Sequence, residues 1–168
     1  MIKNIVWVSV FSLIAALLQS TLFARLAIFH TVPDLVLGIV IYSAYVNGSM
    51  TGQLAGFFSG LLMDCLSASP MGLHAFTCTL AGALAGMMKG TFFLDVVFLP
   101  AALSAGATAL KGAVYLGLHF LLAGAVPAYS FFAPVFWVEL LLNTVLAPFL
   151  FGLLKLFGPL LAGRERNP

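Results

Sequence analysis

Six titratable side chains interrupt otherwise apolar stretches of this chain: Asp34, Asp64, His74, Lys111, His119 and Glu139. Carboxylates and histidines in such numbers can hold a metal ion or exchange a proton as acid and base. Their positions favour a plainer use. Asp34 and His74 stand at the starts of expected helices, and all but Lys111 fall within reach of headgroup water at one membrane face, together with His30 in the first loop. No serine-nucleophile motif, phosphate-binding glycine loop or His-Glu-x-x-His pattern occurs in the sequence, so neither an enzyme nor a metal or cofactor site is expected.

Lys111 makes the sharpest demand. It lies about 13 positions, or roughly 20 Å, from the outer end of its expected span, too deep to snorkel to water. A charge at that depth costs about 3 kcal/mol or more unless it is paired. The candidate partners are Glu139, Asp64, or the Tyr115 hydroxyl with backbone carbonyls. Glu139 is preferred, because its span follows that of Lys111 across a short loop. Depth opposes the pair, since Glu139 sits only about 8 Å below the outer end of its own span, so water or Tyr115 is expected to bridge part of the gap. Ser104, Thr108, Lys111, Tyr115 and His119 fall within about 80° of one another on a helix, and Asn143 follows Glu139 by one turn. These polar faces either turn inward and satisfy each other, or line a substrate path or a partner contact.

A second pattern is made of small residues. Gly52, Gly56 and Gly60 recur at intervals of four, with Asp64 one step further, and Gly82, Gly86 and Gly90 repeat the device after His74 and Cys78. Such stripes let another helix approach closely, either within the chain or from a partner.

The elements that carry these residues are membrane spans. The chain has 168 residues, of which 62% are hydrophobic and 7% charged, against roughly 25% charged in an ordinary soluble domain. Its mean hydropathy is +1.15. Six spans of about 20 residues would leave roughly 48 for every connection, which leaves no room within 1–168 for a soluble catalytic head or a nucleic-acid-binding module. One integral membrane domain, all-α, is expected. The net charge of +2 is too small to indicate a polyanionic partner, and Cys65 and Cys78 lack the second pair that a ligand set or disulfide framework would need.

Breaks in hydrophobicity place the spans at 5–24, 35–47, 51–66, 73–88, 97–124 and 134–158. The second reaches only about 20 Å, short of a roughly 30 Å hydrocarbon core. It must start earlier, in 29–32, or run into the third span through a tight turn at Asn47, Gly48 and Ser49, so that the count is six or five. The first stretch is longer than a signal-peptide core and has no Ala-x-Ala site, and so reads as a retained span. Lys3, Lys89, Arg164 and Arg166 lie on one side and Arg25 alone on the other, which puts both termini in the cytoplasm by the positive-inside rule.

Pro33-Asp34-Leu35 opening a short second span, then Gly56-x-x-x-Gly60-Leu-Leu-Met-Asp64, then Ser67-x-Ser-Pro70-x-Gly72-Leu-His74-Ala75, resembles the rod-shape-determining membrane protein MreD family. The specific part of the resemblance is confined to 33–75, while length and hydropathy extend it over nearly the whole chain. It implies a polytopic subunit of the bacterial inner membrane that works with MreC, a single-span protein with an extracytoplasmic coiled coil. Through MreC it would act with the transpeptidase and glycosyltransferase of lateral wall synthesis. The implied bundle is similar to the substrate-binding subunits of energy-coupling-factor transporters. Pro33, Asp34, Gly60, Asp64 and Gly72 are the family-like positions. Lys111 and Glu139 match no family motif and rest on membrane energetics alone.

Two functions of different class follow. The first is a non-enzymatic scaffold that holds the MreC transmembrane helix, in contact with membrane lipids and without nucleic acid. The second is the membrane subunit of a vitamin-type transporter, with a pocket built from His119, Tyr129 and Trp137.

Overall fold

A computed structural model describes residues 2–21, 31–67, 69–90, 97–122 and 133–161. These form seven helices: α1 (Ile2–Thr21), α2 (Leu35–Asn47), α3 (Ser49–Leu66), α4 (Leu73–Met87), α5 (Phe98–Leu121), α6 (Pro134–Leu156) and the single turn α7 (Gly158–Leu161). Among the described residues no strand pairs with another, and the helices form one bundle. Helices α1, α5 and α6 are long and apolar enough to cross a membrane, whereas α2 and α4 are shorter apolar helices.

The shortness of α2 follows from its place. Ten consecutive residues, Leu35 to Ala44, are buried, and α1, α3, α4, α5 and α6 all pack against it. A helix that is apolar on every side belongs in the middle of a bundle. Its Val and Ile content gives it little intrinsic helix preference, so burial holds it.

Both of its ends are tied by side chains from other helices. At the start, the Asp34 carboxylate accepts from the Leu37 amide at 3.1 Å, the usual service of an N-cap acid. The Asp34 amide donates to Asn143 Oδ1 at 2.7 Å, and the Leu35 amide to Gln19 Oε1 at 3.3 Å. Amides that a helix start leaves unpaired are thus satisfied from α1 and α6. At the far end, Asn47 Nδ2 donates to the carbonyls of Ser43 and Leu161, and its Oδ1 accepts from Asn4 at 3.1 Å. Of the two resolutions expected for the short second span, the structure takes the tight turn. Gly48, at φ +97°, separates α2 from α3, a conformation that an L side chain rarely adopts.

Helices α3 and α4 are antiparallel and meet backbone to backbone. A Cβ placed on Gly52 would lie 2.5 Å from the Gly82 carbonyl oxygen, and one on Gly60 would lie 2.5 Å from that of His74. Gly56 faces the Cys78 carbonyl and Gly86 faces the backbone of Gly48 and Ser49. Each four-residue step forward on α3 meets a four-residue step back on α4, so the two stripes interlock in one register. Gly90 does not belong to it. It stands beyond the end of α4 at φ +75°, where an added Cβ would meet no described residue within 4 Å.

Candidate functional site

Where the starts of α2 and α4 approach the middle of α5 and the first turns of α6, the polar residues assemble into one chain of contacts. Lys111 Nζ donates to Asp34 Oδ2 and to Glu139 Oε1, each at 2.7 Å. All three side chains are nearly closed off from the surface, at 12%, 8% and 7% exposure. Asn143, one turn along α6 from Glu139, accepts from the Asp34 amide and donates to Thr108 Oγ1 at 3.0 Å. Lys111 also lies over the ring of Tyr115, 5.9 Å from its centroid. The charge that would be costly alone in hydrocarbon therefore has two carboxylates and an aromatic face.

Tyr115 connects this cluster to a second one. Its hydroxyl lies 3.3 Å from His74 Nε2, and His74 Nδ1 lies 3.0 Å from Asp64 Oδ1. The Asp64 side chain is wholly buried. It accepts from the amides of Gly72 at 2.9 Å, His74 at 2.9 Å and Ala75 at 3.1 Å. An acid at the end of α3 thus caps the start of α4, the helix with which its glycine stripe interlocks. Gly72, in the left-handed conformation, directs its own amide into that cap. Ser69 closes the turn with a contact to His74 Nδ1 at 3.0 Å.

Lys111 and Glu139 meet directly, so the gap expected from their depths is closed without an intermediary. Asp34, which is not among the partners expected for Lys111 from sequence, is the other partner. One oxygen caps α2 and the other takes the lysine. Asp64, named as an alternative partner for Lys111, is occupied instead by His74 and three amides. The family-like positions Pro33, Asp34, Asp64 and Gly72 gather at these helix starts, whereas Gly60 lies on the α3–α4 seam. Of the residues expected to build a substrate pocket, Trp137 is exposed and T-stacked on Phe136, His119 is T-stacked on Phe120, and Tyr129 lies outside the described residues, as does His30.

Apolar grooves lie on the outside of the bundle, and two of them are lined by described residues alone. One, of about 640 Å³, runs between α4 and α5, with Ala81, Leu84, Ala85 and Met88 on one wall. On the other wall Ala102, Gly106, Ala109 and Ala113 are exposed, while Leu99, Leu103 and Leu110 beside them are buried or half-buried. The four exposed residues fall within about 60° on α5. They differ from the interlocked glycines in that a Cβ on Gly106 would meet nothing within 4 Å. Unlike the glycine spacing of α3 and α4, this stripe leaves no mark in the sequence, because three of its four members are alanines in an alanine-rich helix.

The polar interior leaves little space. The cavity bounded by Asp34, Ser104, Thr108 and Asn143 on its polar side holds about 10 Å³, the room of about one water molecule. Among the described residues no three His, Cys, Asp or Glu side chains converge as a metal site would require.

Comparison with curated proteins and with solved structures gives no match. The family model described as rod shape-determining protein MreD matches residues 1–157. That match spans both stripes, both capped helix starts and the Lys111 cluster, and the chain belongs to the MreD family of rod shape-determining membrane proteins.

Proposed function

We propose that this protein is a non-enzymatic, multi-pass subunit of the bacterial inner membrane that seats the single transmembrane helix of an MreC-type partner. The observation that carries the reading is the α4–α5 groove. Association of helices in lipid depends on close backbone approach, which small residues permit, and the exposed wall of α5 presents four of them in a row. The interlocked glycines of α3 and α4 already use that device within the chain, and the α5 stripe leaves it unused. The polar clusters have a supporting role. They tie α5 and α6 to the starts of α2 and α4, which fixes the wall that the partner would meet. Coupling to the wall-building transpeptidase and glycosyltransferase then runs through the partner, and both termini face the cytoplasm.

The vitamin-transporter reading stands second, because the cavity beside Asp34 and Asn143 has room for about one water.

Affinity isolation from membranes in mild detergent tests the proposal. Wild type should retain a single-span coiled-coil protein, and Gly106→Leu should lose it while the chain still accumulates normally. Retention by Gly106→Leu would overturn the placement. Recovery of an ATPase module with a bound small molecule would replace the scaffold with transport. Reporter fusions after Pro168 and within 90–95 should read cytoplasmic, and those within 67–72 and 125–133 external.

A further inference from the structure

The second groove, of about 530 Å³, lies on a different face, between α1 and α3. Its walls are Ile2, Ile5, Val6, Ser9, Val10 and Leu13 from α1 and Leu54, Phe58 and Leu62 from α3. Ser9 is the one small residue in that set. The others are branched or aromatic and hold any neighbouring backbone away, so the surface does not suit a packed helix. It suits a flexible hydrocarbon chain, which can follow an irregular apolar trough.

Length and charge identify the kind of chain. From Ile2 to Leu13 the groove follows α1 for about 17 Å, close to half of a roughly 30 Å hydrocarbon core, which is the depth of one leaflet. Lys3, exposed, stands beside the Ile2 end, and Asn4 next to it is tied to Asn47, which holds the start of α1 in place. An ammonium at one end of an apolar trough one leaflet deep is complementary to a phosphate with an acyl chain.

We infer that the α1–α3 groove binds one anionic phospholipid, with an acyl chain along Val6, Val10 and Phe58 and the headgroup phosphate at Lys3. The site is independent of the partner groove, which lies on other helices.

Native mass spectrometry of the detergent-purified protein, delipidated and then supplied with phosphatidylglycerol or phosphatidylcholine, tests it. Wild type should retain one phosphatidylglycerol with a preference of about fivefold over phosphatidylcholine, the equivalent of about 1 kcal/mol for one basic residue near the surface. Lys3→Gln should abolish the preference and keep the weaker binding common to both lipids. Val10→Trp, at an exposed position, fills the trough and should lower retention of both by about tenfold or more. Equal retention of the two lipids by wild type would overturn the inference, as would retention by Val10→Trp at the wild-type level. A second copy of the chain held by wild type and released by Val10→Trp would overturn it in favour of a self-association seam.

Discussion

Replacing Lys111 with methionine should be the most damaging single change at the polar cluster, and the damage should be lopsided across its three members. Lys111 Nζ is 2.7 Å from an oxygen of Asp34 and 2.7 Å from an oxygen of Glu139, so those two oxygens are no more than about 5.4 Å apart. Breaking a buried ion pair by removing one partner costs about 3 to 5 kcal/mol, because the other charge is left uncompensated. Lys111→Met leaves two such charges facing each other and should reach the top of that range. Glu139→Gln removes one carboxylate and leaves a one-to-one pair of Asp34 with Lys111, which should cost about 1 kcal/mol or less. Asp34→Asn leaves Lys111 with Glu139 and keeps a competent N-cap, with a similarly small loss. At roughly 2 to 4 °C per kcal/mol for a chain of this size, thermal unfolding in detergent should fall by about 10 to 20 °C for Lys111→Met and by only a few degrees for each acid variant. The double variant Lys111→Met with Glu139→Gln should recover part of the loss, since Asp34 remains unpaired, and adding Asp34→Asn should recover most of the rest. Equal losses for Lys111→Met and Glu139→Gln, or strictly additive losses in the triple variant, would refute the three-membered cluster.

The interlocked and the open glycines should respond oppositely to the same substitution. Gly56→Ala drives a methyl into the Cys78 carbonyl, where neither backbone can give, and should cost about 1 to 3 kcal/mol. Gly106→Ala meets open space and should raise helix stability by about 0.5 to 1 kcal/mol; a loss at Gly106 as large as that at Gly56 would contradict the packing. Asp64→Asn places an amide group opposite backbone N–H donors that the carboxylate accepts, at roughly 2 to 4 kcal/mol for the buried groups left unmet. Hydrogen exchange at the amides of Gly72, His74 and Ala75 should accelerate, and unchanged protection there would exclude the cap.

How much could be read beforehand differs from residue to residue, for physical reasons. Lys111 announced a buried partner because an ammonium far from either membrane face has no cheap alternative, and Glu139 was reachable because its helix is next in the chain. Asp34 escaped because a carboxylate has two oxygens and a helix start accounts for only one of them. The other is directed by the packing of α2 against α5, which no local pattern records. The glycine spacing on α3 and α4 announced close approach, but their mutual register depends on the turn at 67–72 and on Asp64 reaching the amides beyond it. The length of α2 looked like a defect while it was measured against a bilayer. Measured against its neighbours it is a core helix, closed at one end by Asp34 and Asn143 and at the other by Asn47. The α5 stripe stayed hidden because Ala102, Ala109 and Ala113 are unremarkable in composition and matter only through their exposure.

Site-specific photo-cross-linking in membranes containing an MreC-type partner addresses the partner groove most directly. A photoreactive residue at Ala109, in the groove, should join the partner's transmembrane segment in high yield. One at Val145, exposed on α6 and outside the groove, should not. Cross-linking at Val145 with none at Ala109 would contradict the account and move the partner to another face of the bundle.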